Sequence, residues 1–129
     1  MFRAMKKAED SLPLVERSPR ALGVRVSGVG ANPPFDVFPD SDGHVAPGSG
    51  LSVAMDDPRA LPRHRKPRAL GGEGRDPVFS LAVSVVREPL SVIEDRPPHA
   101  LIEPASRCLL ELFELALART RPCWKVCDV

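Results

Sequence analysis

The chain has 129 residues, a length that supports one core and one domain. A formal net charge of +1 gives no global drive toward nucleic acid or an anionic membrane. Fifteen prolines and nine glycines, with five Phe, one Trp and no Tyr, describe a loop-rich scaffold, and the ordinary apolar share argues against full disorder.

In chain order, Phe2 to Met5 alternates as a short first strand, with Phe2 and Ala4 facing one way and Arg3 the other. Lys6 to Asp10 is a polar turn. Between Leu12 and Val29 the apolar residues are interrupted by Pro13, Pro19, Gly23 and Gly28, and only Leu22 to Val26 suggests a strand. Asp36 to Phe38 is a strand fragment. Asp40-Ser-Asp-Gly43 and Pro47-Gly-Ser-Gly50 are successive turns, and Leu51 to Met55 follows as a half-buried strand. Arg59 to Gly74 is a long basic loop. From Arg59 to Arg75, six Lys or Arg stand against Glu73 alone, a local charge of +5.

Val78 to Val86, apolar and rich in Val, predicts the longest strand. Leu90 to Ile93 and His99 to Ile102 are two more, separated by Arg96-Pro-Pro98. Arg107 to Arg119 carries Leu109, Leu112, Phe113, Ala116 and Leu117 at helical spacing, with Ser106 as N-cap and Pro122 as the stop. Phe79, Val83, Val85 and the helix stripe are read as core, and Trp124 as a cover for the sheet or the C-terminus. The expected fold class is α+β.

Three cysteines, Cys108, Cys123 and Cys127, make a poor disulfide framework. Cys123-x-x-x-Cys127 has no nearby His to complete a zinc site, so free thiols in a reducing compartment are expected and no metal is assigned. The N-terminal MFRAMKKAED has no apolar core of signal-peptide length, and no stretch has transmembrane length. A soluble, cytoplasmic protein is the expectation, or one delivered to a target-cell cytoplasm without a cleavable signal. No P-loop, Gly-x-Ser-x-Gly elbow or HExxH is present.

Four segments together resemble the ADP-ribosyltransferase-like toxin domain family of type VI secretion effectors, which has fungal relatives. They are Phe2-Arg3-Ala4; Asp42-Gly-His-Val-Ala-Pro-Gly-Ser-Gly-Leu-Ser-Val53; Leu61-Pro-Arg-His-Arg-Lys-Pro67 with Leu70-Gly-Gly-Glu-Gly-Arg-Asp-Pro-Val78; and His99-Ala-Leu-Ile-Glu-Pro-Ala105 with the helix and Trp124 beyond. They occur in the family's order over most of the chain, with residues 1–34 matched weakly and expected to be partly disordered. The resemblance implies a single domain over 1–129: a small split, mixed or antiparallel sheet with a C-terminal helix, ADP-ribosyltransferase-like.

It also implies NAD as substrate, an unknown macromolecular acceptor and an immunity protein that protects the producer. Breaking the nicotinamide–ribose bond passes through an oxocarbenium-like transition state. That chemistry calls for a cation on the pyrophosphate, a hydroxyl at the ribose and a carboxylate near the developing charge. Arg3 is the candidate cation and Ser52 the candidate hydroxyl. Gly48 and Gly50 would permit close approach to the ligand, and Ser49 would add a hydroxyl or a backbone N–H. Glu103 is the candidate carboxylate, with Glu94 and Asp95 as alternatives. His99 would hydrogen-bond ribose or substrate. His64, with Arg63, Arg65, Lys66 and Arg68, would grip phosphate; a solvated loop or a nuclear-localisation run are the other readings of RHRKPR.

The family commonly has one more residue between its glycine pair and Ser-Val. That difference favours the alternative of a catalytically inactive binding or interaction domain of the same fold.

Overall fold

The computed structural model describes residues 1–28 and 32–128. It is a small α+β fold: an antiparallel sheet with one C-terminal helix. The strands are β1 (Phe2–Ala4), β2 (His44–Val45), β3 (Leu51–Ala54), β4 (Val78–Ser80), β5 (Leu90–Arg96), β6 (His99–Pro104), β7 (Cys108–Leu109) and β8 (Lys125–Val126), and the helix is α1 (Leu110–Arg119). The main sheet has the order β5-β6-β3-β1-β4-β8, and β2 pairs with β7 in a second, two-stranded sheet. Every pair of named strands is antiparallel, so the mixed sheet among the expectations is not present. Parallel pairing occurs only as isolated bridges, Val26 with Val37 and Pro67 with Gly74, among the described residues.

The main sheet has a seam. β3 pairs with β6 over four registered positions and β1 with β4 over three, whereas β1 and β3 share the single pair Phe2–Ala54. Two half-sheets, β5-β6-β3 and β1-β4-β8, therefore meet at one rung.

Alternation along β3 divides its side chains between two faces. Leu51 and Val53 enter the main core with Phe79, Leu81, Leu90, Ile102, Phe113, Leu117 and Trp124. Ala54, on the opposite face, joins Leu61 and Val78 in a second, small cluster against which Phe2 packs. The irregular N-terminal segment contributes to the main core through Leu22 and Val24, both fully buried.

Several expected elements differ in extent; β5 runs on to Arg96 and β6 to Pro104. The Val78–Val86 run is a strand only over Val78–Ser80, because β1 offers three residues to pair with; Val83–Val85 then forms a 3-10 turn with no facing strand. Val83 is accordingly exposed rather than core, and Val85 only packs on the core's margin. Helix α1 begins at Leu110 rather than Arg107, and Ser106 is not its cap. Cys108–Leu109 is held extended by His44–Val45, and Leu110 N donates to Gly43 O at 3.0 Å, which delays the first turn. Phe113 and Leu117 are buried, while Leu109 and Leu112 are exposed. The strand suggested over Leu22–Val26 is reduced to the Val26–Val37 bridge. Trp124 is buried, its indole Nε1 donating to Thr120 Oγ1 at 3.0 Å. Cys108, Cys123 and Cys127 are all free thiols.

Candidate functional site

The seam between the half-sheets determines where Arg3 goes. Past the Phe2–Ala54 rung the two strands part, and the edge of β3 has carbonyl acceptors that β1 does not fill. The Arg3 guanidinium fills one: Nη1 donates to Ser52 O at 2.8 Å. Its other contacts tie in the irregular N-terminal segment. Nε and Nη2 donate to Ala21 O at 3.2 and 3.0 Å, and Nη2 also reaches Pro19 O at 3.3 Å.

All of these acceptors are neutral carbonyls, and Arg3 is only 8% exposed. Burial accordingly pulls its pKa down to about 10, with Arg65 and Arg25 adding to the effect and Asp36 opposing it. The side chain stays charged at neutral pH, and among the described residues its second Nη1 hydrogen meets no acceptor. A buried cation without a carboxylate in direct contact is a ready anion site.

Beside Arg3 opens a cavity of about 600 Å³. That volume lies in the range of small-molecule and cofactor sites. Five residues singled out from the sequence line it: Arg3 from β1, Ser52 from β3, His99 from β6, and His64 and Arg65 from the basic loop. Arg25, Asp36 and Arg96 also line it, so four arginines face one carboxylate and the wall carries a local charge of +3. Asp36 is engaged by Arg25, taking its backbone N–H at 2.7 Å and its Nε at 3.1 Å, with a further bond from Nη2 at 3.2 Å.

His99 is oriented across the β5–β6 hairpin. Its Nδ1 lies 2.6 Å from Asp95 Oδ1, which leaves Nε2 for a ligand. Partial burial pushes the Asp95 carboxyl up, but the hydrogen bond and charge of His99 outweigh it and hold the group below its usual value. Asp95, weighed from the sequence only as an alternative carboxylate, is thus a partner of His99 rather than a member of the cavity wall.

The remaining candidates lie elsewhere. Glu103, 5% exposed, accepts a hydrogen bond from Gly48 N at 2.7 Å and does not line the cavity. Gly48, Ser49 and Gly50 are likewise outside it. Gly48 takes a φ of 101°, which suits glycine, while a Cβ on Gly50 would run into the Ile102 carbonyl. Ser49 Oγ lies 3.5 Å from Ala46 O. This turn is a fastening between β3 and β6. The preceding Asp40–Gly43 turn is fastened too. Asp40 Oδ1 accepts from Asp42 N at 2.9 Å and His44 N at 3.0 Å, and Asp40 Oδ2 accepts from Arg107 Nη2 at 2.8 Å. The His44 bond first, then Arg107, holds the Asp40 carboxyl down at about 2.

Arg25, Asp36 and Arg96 carried no signal in the sequence as site residues. Arg25 and Asp36 sit in the irregular N-terminal third, and Arg96 sits where Pro-Pro suggested only a strand end. The single sequence clue to the Asp95–His99 pair is its four-residue spacing around a tight turn. Among the described residues, no helix is long and apolar enough to cross a membrane and no group of His, Cys, Asp and Glu could hold a metal ion. Comparison with protein-family models, curated proteins and solved structures gives no significant match.

Proposed function

We propose that the chain is an NAD-dependent, ADP-ribosyltransferase-like cytotoxic domain whose ligand lies in the cavity at the sheet seam. The observation that supports this best is convergence. Arg3, Ser52, His99 and His64 come from four separate segments of the chain, and all four line one cavity. In the proposed complex the pyrophosphate lies against Arg3, which has no carboxylate in direct contact and an N–H without an acceptor among the described residues. Ser52 and His99 contact the nicotinamide ribose, with Asp95 fixing the His99 ring. The reaction cleaves the nicotinamide–ribose bond and passes ADP-ribose to water or to a macromolecular acceptor. A producer of such a domain needs an immunity partner or export.

The second reading is a binding domain of the same fold without catalysis. It is favoured by the carboxylates: Glu103 is committed to Gly48, and Asp36, paired with Arg25, is the one acid lining the cavity among the described residues.

The test is nicotinamide release from NAD by the purified protein, with calorimetric titration of NAD in parallel. The expected outcome is turnover that falls at least tenfold in Ser52→Ala and in Arg3→Lys, each checked for retained fold by circular dichroism. Binding without turnover selects the second reading. Neither binding nor turnover refutes both.

A further inference from the structure

A second cavity, of about 270 Å³, adjoins the first. His64 and Arg65 line both, so the two share a wall. The smaller one is completed by Arg20, Glu73, Gly74, Arg75 and Asp76. Its two acids are already engaged. Asp76 takes a bidentate pair of bonds from Arg20, both at 2.7 Å, and Glu73 lies 3.3 Å from Arg63. Arg65 and Arg75 have no ion-pair partner among the described residues, and His64 has no side-chain hydrogen bond there. Arg65 is partly desolvated, which lowers its pKa; the charge of Asp76 opposes this, and the positive charges of Arg20 and Arg25 add to it. Arg65, Arg75 and His64 thus converge on a small polar recess whose two carboxylates make their direct contacts with other arginines, Asp76 with Arg20 and Glu73 with Arg63.

We infer that this recess is a phosphate subsite, and that the preferred ligand is a dinucleotide carrying a phosphate monoester beyond its pyrophosphate, as NADP does on its adenosine ribose. The inference rests on the cavity at the seam being the dinucleotide site. With the pyrophosphate on Arg3, an extended ligand that passes the shared wall at His64 and Arg65 brings a ribose phosphate to Arg75. Arginine is the residue whose planar fork suits such a group, and an arginine near the ribose is how dinucleotide sites accept a 2′-phosphate in general. Arg65, partly desolvated, gains more from a dianion than a fully solvated guanidinium, because less water is displaced to make the bond, while exposed Arg75 adds charge and a planar fork at the mouth.

The test is equilibrium titration of the full chain with NAD and with NADP under the same salt. The expected result is at least tenfold tighter binding of NADP. In Arg75→Gln the ratio of the two dissociation constants should fall toward one, and Arg65→Gln should lower it as well. Equal affinities in the unmodified protein overturn the subsite and leave the proposed function standing. A ratio unchanged in folded Arg75→Gln also overturns the subsite. If neither dinucleotide binds, the proposed function falls and the subsite falls with it.

Discussion

Two glycine-rich segments flank the sheet, and they do opposite work. Pro47–Gly50 reads in the sequence as the ligand cradle, and Gly71–Gly74 as the tail of a solvated basic loop. In the structure the first is strapped to β6: Glu103 takes the Gly48 N–H, and Gly50 lies against the Ile102 carbonyl. The second folds back on its own loop, with Gly72 and Gly74 against the carbonyls of Lys66 and Arg65, and so presents His64 and Arg65 to both cavities. In both cases glycine serves close packing of backbone on backbone. The difference lies in what the packing holds up: a strand connection in one case, cationic side chains in the other. A glycine-rich turn is therefore evidence of close approach, and the approaching group can be the protein itself.

The sharpest way to break this contrast is a pair of alanine substitutions. Gly50→Ala forces a methyl into the Ile102 backbone, which cannot yield as a side chain would, and should cost about 3 kcal/mol of stability. Urea unfolding reads it as a lower midpoint at constant slope. The cavity is not lined by Gly50, so surviving folded protein should keep its NAD affinity. Gly74→Ala should instead displace Arg65 and weaken NAD binding at least tenfold in protein that is still folded. If Gly50→Ala loses ligand affinity while Gly74→Ala keeps it, the two roles have been assigned the wrong way round.

A smaller effect is expected at Glu103. Glu103→Ala removes a charge-assisted hydrogen bond from a buried carboxylate and should cost roughly 2 kcal/mol. Nicotinamide release should change little, since Glu103 is outside the cavity. A loss of turnover exceeding tenfold in folded Glu103→Ala would restore it as the missing carboxylate.

The smallest effect concerns acid. Asp40 has its folded pKa depressed to about 2 from an ordinary 3.8. A depressed carboxylate contributes stability that is fully present above its unfolded pKa and is lost as pH falls through the folded one. The Asp40 turn should therefore loosen between about pH 4 and pH 2. In Asp40→Asn the unfolding midpoint should lose part of its dependence on pH over that window. An identical profile for the two proteins would show that the bonds of Asp40 to His44 N and to Arg107 together contribute nothing, as many surface contacts do.

Local alternation revealed much of the fold. Phe2-Arg3-Ala4, Leu51-Ser-Val-Ala54 and His99-Ala-Leu-Ile102 are strands close to their expected bounds; in β3 and the start of β6 burial alternates along the strand, whereas in β1 both Arg3 and Ala4 are buried. The failures are cases where a partner, rather than propensity, sets the length. The Val78–Val86 run has ample strand propensity but meets a three-residue β1. Ser106 is a good cap for a helix that β2 does not allow to start there. The site divided along similar lines. Residues on short regular strands, Arg3, Ser52 and His99, were legible. Arg25 and Asp36 were not, since an irregular segment has no period from which to read a facing side chain.

The single Phe2–Ala54 rung has a mechanical consequence. Where a second backbone rung would close the seam, the Arg3 side chain bridges it instead, by grasping Ser52 O. A backbone rung is indifferent to what lies in the neighbouring cavity, but a guanidinium is not. An anion that engages the Arg3 N–H left without an acceptor among the described residues also clamps the joint between the half-sheets. Occupancy and cohesion of the seam then become linked quantities: whatever tightens one tightens the other by the same free energy, and loosening the joint loosens the grip.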